Sequence, residues 1–224
     1  MRRQHKRRKS QVNPRLLFYA PLTEDLLPVV GDGGSLSVKA TANVYISNGA
    51  MYVSSGKGKI LWDVPTHANV DYTFSVWVKK VANNGCSYSF GAPHPTNARY
   101  YGLMYQEHQS NLRAKLGTEY CNWFFMSSHA SKLTNTSEFV FISWTIRHLG
   151  ESSYNCKIYI DGELVDDKTF TNTSWLGMGN CYFGISNGAG TNSMTGYYKH
   201  FSVHEAMDDQ QILELYERDG VPSL

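Results

Sequence analysis

Hydrophobic and polar positions alternate with a period of two along much of the chain. The alternation is strict from Tyr72 to Lys79. Tyr72, Phe74, Val76 and Val78 share one face, and Thr73, Ser75, Trp77 and Lys79 the other. This is the pattern of a strand with one face in a core. Val44-Tyr45-Ile46 and Met51-Tyr52-Val53 flank Asn48-Gly49, and Asn-Gly supplies the two positive-φ positions of a type I′ hairpin turn. Lys157–Ile160, Asp161-Gly162 and Glu163–Val165 form a second hairpin of the same kind. Strands are also predicted at Leu16–Ala20 (closed by Pro21), Cys86–Phe90, Tyr100–Gln106, Asn111–Leu116, Tyr120–Met126, Phe139–Arg147, Cys181–Ile185 and Gly196–Val203. Phe139–Arg147 is largely apolar and so reads as central. Leu22–Ser37 reads as irregular, with a turn at Gly31-Asp32-Gly33-Gly34.

One helix is predicted, from Asp209 to Arg218. Asp208 caps it and Gln211, three residues on, completes a box-like pattern. Ile212, Leu213, Leu215 and Tyr216 form its apolar stripe, Gly220 is a natural C′ residue and Pro222 prevents continuation. Many strands and one short terminal helix make an all-β, two-sheet antiparallel sandwich. The length of 224 residues fits one such domain. With 42% hydrophobic and 18% charged residues, disorder and coiled coil are excluded. No apolar run approaches the roughly 20 residues of a membrane helix, and no membrane partner is expected.

Charge divides the chain unevenly. Residues 1–15 hold Arg2, Arg3, Lys6, Arg7, Arg8, Lys9 and Arg15 and no acid. Without these seven, 14 basic side chains face 19 acidic ones, a body of about −5. The reading is a basic arm, residues 1–15, on a mildly acidic globule. As a solvated tail the arm would do nothing. As an anchor it would hold an anionic partner, protein or nucleic acid. Cys86, Cys121, Cys156 and Cys181 are widely spaced with no CxxC pair, which argues against a zinc ribbon and a dense disulfide scaffold. No secretory signal is legible, since Leu16–Ala20 is short for one and runs into Pro21. Free thiols and synthesis in a reducing cytoplasm are expected. The sequons at Asn135 and Asn172 then read as turn residues.

Catalytic chemistry is largely missing. A glycosidase needs two carboxylates a few ångströms apart. Asp161 and Glu163 alternate, but within a hairpin turn, and Asp166-Asp167 reads likewise as solvated. His200 and His204 fall on one strand face and read as half-exposed strand-end residues, with no third zinc ligand indicated. Asp32, Asp63 and Asp71 could serve calcium at loops, but no spacing picks out a set. No cofactor or metal site is therefore assigned. The aromatic middle is richer. Tyr101 and Tyr105 share one face of a predicted strand, and Tyr100 lies on the other face. Tyr120 and Phe124 oppose Trp123 and Phe125 in the same way. With aromatics on both faces, one face is covered by loops or contacts a ligand, and Tyr100, Tyr101, Tyr105 and Trp123 are the candidate binding residues.

Four segments, in order, resemble the laminin-G-like domains of the concanavalin A-like lectin/glucanase superfamily. They are Leu17-Phe18-Tyr19-Ala20-Pro21-Leu22, then Tyr72–Lys79 against "ftfsvWvk", then Trp144 with Lys157–Val165 against "W…klYiDGelv". The last is Gly184, Gly196–Val203 and Ile212–Tyr216. The resemblance spans roughly 16–220 and implies a jelly roll whose members bind sugars or proteins, some with calcium. Where many relatives carry acids in the closing strand, this chain has Lys199 and His200. Such domains recur in bacteriophage virion proteins. The resemblance thus implies a non-catalytic structural or accessory virion protein, with residues 16–224 as a displayed lectin-like sandwich. Arg2, Arg3, Lys6, Arg7, Arg8 and Lys9 would anchor it to other virion proteins or packaged nucleic acid, and glycans are its candidate ligands. A stand-alone soluble carbohydrate-binding module and a glycoside hydrolase are the alternatives.

Overall fold

The computed structural model describes residues 13–54, 58–66, 71–82, 86–93, 102–108, 111–116, 123–126, 137–150, 153–171, 181–186 and 195–224. Its strands are β1 (Leu16–Ala20), β2 (Val30–Gly31), β3 (Val38–Ala42), β4 (Val44–Ser47), β5 (Ala50–Val53), β6 (Lys59–Pro65), β7 (Tyr72–Ala82) and β8 (Cys86–Pro93). They continue with β9 (Gly102–His108), β10 (Asn111–Leu116), β11 (Trp123–Met126), β12 (Val140–Gly150), β13 (Ser153–Ile160), β14 (Glu163–Phe170), β15 (Tyr182–Ser186) and β16 (Thr195–Glu205), followed by helix α1 (Asp209–Glu217). One sheet runs β14-β13-β12-β7-β16-β1-β2, with β5 also paired to β16 and β4 to β5. The other runs β11-β10-β9-β8-β15-β6-β3. The expected all-β, two-sheet antiparallel sandwich with one short C-terminal helix is what forms.

The core lies between the sheets. The even positions of β7, Tyr72, Phe74, Val76 and Val78, are wholly buried, as are Ile142, Trp144, Ile158 and Ile160 beside them. From the opposite sheet come Trp62, Phe90 and Phe183. Phe183 bridges the layers, its ring 5.6 Å from Phe18, 5.9 Å from Tyr72 and 6.1 Å from Phe74. Trp62 stacks on Phe201 at 5.4 Å and donates its indole N–H to the Leu26 carbonyl at 2.7 Å, so the ring is buried without an orphaned donor. Cys156 and Cys181 are buried in this core. Burial pushes the Cys156 thiol well above its ordinary value.

Two odd positions of β7, Thr73 and Ser75, are buried too, because α1 and the chain leading into it lie over them, whereas Trp77 and Lys79 are half-buried. Phe141, Tyr159, Met207, Ile212 and Leu215 form a second cluster with Trp77 and Tyr216 packed against it. Beneath it the register aligns Ser202, Ser75 and Ser143 across three strands, and Ser75 and Ser143 share a hydrogen bond of 2.7 Å. Small hydroxyls make a floor the helix can approach. The capping box predicted from Asp208 and Gln211 is present, with both bonds at 2.9 Å. At the other end the left-handed turn begins at Asp219 (φ 55), one residue before the expected Gly220 (φ 73). Gly220 N donates to Leu215 O and Asp219 N to Tyr216 O, both at 2.9 Å, so the helix closes in a Schellman motif with Asp at C′.

Both predicted hairpins carry their two positive-φ residues, Asn48-Gly49 and Asp161-Gly162. Asp161 also accepts the Phe141 N–H at 3.0 Å, a structural use of that carboxylate. Strands β3 and β6 were not expected, and β14 runs past Val165 to Phe170. In β6, Leu61 is buried along with Ile60 and Trp62, so the segment lacks the alternation that would mark it. Arg15 pins the start of β1, with Nη2 3.2 Å from Asp32 and Nε 3.1 Å from Glu205.

Trp144 is 0% exposed and stacks on Phe74 at 5.0 Å. Trp144→Ala is expected to cost about 3–5 kcal/mol in denaturant unfolding. A loss under about 1 kcal/mol would mean that the ring is not part of the packed core.

Candidate functional site

Strand β16 is split by a bulge. Lys199 pairs with Trp77 and Ser202 with Ser75, so His200 and Phe201 together face the single residue Val76. His200 takes the left-handed conformation (φ 53) and donates its N–H to the Pro21 carbonyl at 2.8 Å. The half of β16 before the bulge pairs with β5, and the half after it with β1.

Before the bulge, the register builds a row of aromatic rings on the outer face. Tyr45 pairs with Tyr52, Tyr52 with Tyr197, and Tyr197 with Lys79. The neighbours in sequence, Met51, Val53 and Tyr198, are buried in the core, so the tyrosines point away from it. Their ring centroids are 5.3 and 4.8 Å apart, tilted by 57° and 49°, the inclined pairing that ring quadrupoles favour. Tyr45 is 52% exposed. Burial first, and then the neighbouring Tyr45 and Tyr197, raise the Tyr52 phenol above its ordinary value, so its hydroxyl stays a donor. Two residues further along, Lys199 holds its ammonium 4.7 Å from the Phe139 ring centre and 5.4 Å from that of Trp77, within cation–π range. Trp77 is itself fixed, its indole N–H donating to the Asp219 carbonyl at 2.7 Å.

The residues singled out from sequence fall elsewhere. Arg2, Arg3, Lys6, Arg7, Arg8, Lys9, Tyr100, Tyr101, Cys121, Asn135 and Asn172 lie outside the described residues. Tyr105 is on β9, in register with Phe90, Ala114 and Phe124. Trp123 is on β11, in register with Lys115 and Met104, so the two stand in alternate rows of the seven-stranded sheet. Asp32, Asp63 and Asp71 do not converge: Asp32 pairs with Arg15, Asp63 binds Ser35 and Lys39, and Asp71 accepts the His148 N–H. The Ser35 and Lys39 contacts hold the Asp63 carboxyl below its usual value, and Lys157 and Tyr159 do the same to Asp209.

His200 and His204 share the outer face but have separate surroundings. His200 Nδ1 lies 2.8 Å from the Tyr19 hydroxyl. His204 is not a half-exposed strand-end residue: it is 5% exposed, because α1 and the chain after it cover this end of β16. It lines a cavity of about 300 Å³ with Leu16, Met207, Glu214 and Arg218, and its Nδ1 has no hydrogen-bond partner. Burial, aided by Arg218, pushes its pKa down to about 4.

The tyrosine row was missed in the sequence, although half of it was computable. In a two-residue hairpin loop, pairing is symmetric about Asn48-Gly49, which sets Tyr45 opposite Tyr52. Tyr197 joins through a long-range pairing that no local pattern encodes.

Two packed antiparallel sheets, with a closing helix on the outer face of one, define a lectin-like sandwich. The chain belongs to the concanavalin A-like lectin/glucanases superfamily, its residues 54–213 matching a laminin G family of that description. No curated protein matches it. Among solved structures it is similar to the binding domain of botulinum neurotoxin serotype D, with a TM-score of 0.65 at 16% identity over 91% of this chain and 51% of that one. The binding domain of Paraclostridial Mosquitocidal Protein 1 gives 0.64 at 15%, over 91% and 52%. The Trypanosoma rangeli sialidase gives 0.63 at 14%, over 91% and 33%. The chain thus spans about half the length of the toxin domains and a third of the sialidase, and at these identities the likeness is one of fold.

His204 yields a prediction about acid. Its folded pKa of about 4 lies below the ordinary histidine value of 6.5, so the unfolded chain binds the proton first. The stability it contributes is complete above about pH 6.5 and falls as pH drops toward 4, by on the order of 3 kcal/mol. Denaturant midpoints at pH 7 and pH 4.5 are expected to differ less in His204→Leu than in the parent. An unchanged difference would place the acid sensitivity in other groups.

Proposed function

We propose that the chain is a non-catalytic structural or accessory virion protein. It is made in the host cytoplasm, displays a lectin-like glycan-binding sandwich and is held to its assembly by the basic arm. The observation that carries the binding role is the outward row Tyr45-Tyr52-Tyr197, three rings in register on the outer face of a lectin-family sandwich. Rings with one apolar face and a polar tip suit the mixed surface of a sugar. The toxin structures similar in fold are binding domains, which supports the same reading. Tyr105 on β9 and Trp123 on β11 remain candidates on the other sheet, with Tyr100 and Tyr101 as sequence candidates outside the described residues.

Non-catalysis is supported by three of the described carboxylates. A glycosidase acid needs a raised pKa, whereas Asp63 and Asp209 are lowered by hydrogen bonds and Asp161 is engaged by a backbone N–H. Anchoring is supported by the charge split, six basic side chains in residues 2–9 on a body of about −5. A body of that sign is repelled by anionic partners, so attachment concentrates in the arm. The tyrosine row equally fits a stand-alone soluble carbohydrate-binding module, and the arm separates the two readings.

Deleting residues 2–9 is expected to leave the sandwich folded by circular dichroism but to abolish copurification with particles. Normal incorporation of the truncated chain would make the arm a solvated tail. A glycan array should return bound saccharides, and a reducing-sugar assay on them no turnover. Turnover lost on changing one Asp or Glu would overturn the non-catalytic reading.

A further inference from the structure

The outer face around the tyrosine row carries cations as well as rings. Lys79 stands next in the cross-strand row, directly opposite Tyr197. Lys199 follows Tyr197 on the same face and is perched over Phe139 and Trp77. The other lysines of the sandwich whose contacts are described have carboxylate partners: Lys39 pairs with Asp63, Lys157 with Asp167 and Asp209, and Lys168 with Asp166. Lys79 and Lys199 have no described carboxylate within 4 Å. Among the described ion pairs none joins Glu138 or Asp219 to either ammonium. An ammonium lying over aromatic faces has given up part of its water without gaining an anion. Such a group gains more from a ligand carboxylate or sulfate than from a neutral hydroxyl, because a charge-assisted hydrogen bond is roughly twice as strong as a neutral one.

We infer that Tyr45, Tyr52, Tyr197, Lys79 and Lys199 form one binding surface for an acidic saccharide, a glycan bearing a carboxylate or sulfate group. The tyrosine rings take the sugar faces, and the two ammonium groups take the anion. The size of the patch favours a saccharide over a protein. A stable protein interface engages roughly 20–30 residues a side, whereas this patch is five side chains on one row and its neighbour. The inference rests on the glycan-binding reading above and narrows it to a site and a ligand class.

The arm is itself polycationic, so the test must keep the two apart. The full chain and a full-length variant with Arg2, Arg3, Lys6, Arg7, Arg8 and Lys9 all changed to Gln are titrated with paired oligosaccharides: sialylated and desialylated, sulfated and desulfated, uronic and reduced. The expected result is that both proteins bind the acidic member of at least one pair at least tenfold more tightly. Lys79→Gln with Lys199→Gln should remove that preference. Tyr52→Ala should weaken binding of the acidic member at least fivefold, with thermal unfolding confirming that each variant is folded. Lys79→Arg with Lys199→Arg should keep the preference for acid, since charge is retained.

Binding of neutral and acidic members alike would overturn this inference and leave the glycan-binding reading standing. So would an acid preference that vanishes with the arm charges yet survives loss of the two lysines. Absence of any saccharide binding in every arm of the experiment would overturn both.

Discussion

The surplus residue in β16 sets the outer surface of the nine-stranded sheet. Tyr197 and Ser202 are five positions apart, so in a regular strand they would point to opposite faces. With His200 and Phe201 both set against Val76, the count is shifted by one. Tyr197, Lys199, Ser202 and His204 all turn outward, while Tyr198, Phe201 and Val203 enter the core. The same irregularity lets β16 change partner, from β5 to β1. The Pro21 carbonyl receives the His200 N–H that the sheet ladder cannot, so that backbone donor is satisfied despite the bulge. The tyrosine row, the lysine perch and the serine floor under the helix all inherit their side of the sheet from this one offset.

That outer face is then shared between two occupants. On the side after the bulge it is closed by α1 and the chain that follows, whose approach needs small residues below and an exact fit at the turn. Both glycines at the turns have positive φ, and a Cβ on Gly220 would also lie 2.7 Å from Trp77 Nε1, while one on Gly162 would press on Leu213 Cδ1 at 3.0 Å. Arg147 and Thr73 hold the Met207 backbone, at 2.9 and 2.8 Å, and so fix where the helix begins. On the side before the bulge no described element covers the face in this way, and Tyr45 stays at the surface with Tyr52 and Tyr197 half-buried beside it. Trp77 belongs to both halves: it supports Tyr216 of the helix at 5.8 Å and carries Lys199 on the same ring system.

Much of the fold was legible because local chemistry and tertiary demand agree. Tyr72–Lys79 alternates, both hairpins have Gly at the second turn position, and the helix announces itself through its cap and its stop. β6 was hidden because consecutive residues Ile60, Leu61 and Trp62 are all buried, which removes the period-two signal. His204 was misjudged because its burial comes from a helix that packs back on the strand only after the chain has reversed. The sequence reading placed the candidate binding surface on Tyr100–Trp123, where the tyrosines are dense. The row at Tyr45, Tyr52 and Tyr197 is assembled from segments some 145 residues apart and depends on a bulge that no motif marks.

The clamp at Arg15 acquires a mechanical meaning once the arm is treated as a tether. A pull on the arm reaches the sandwich first at Arg15, whose guanidinium grips Asp32 beyond β2 and Glu205 at the end of β16, while its carbonyl takes the Glu205 N–H at 2.9 Å. The load is therefore divided between two neighbours before any rung of β1 carries it. β1 itself is flanked by β2 on one side and β16 on the other, so it cannot peel away as an edge strand would. Tension entering there would meet β16 and the turn after β2 first, while the tyrosine row hangs on the other half of β16 through β5.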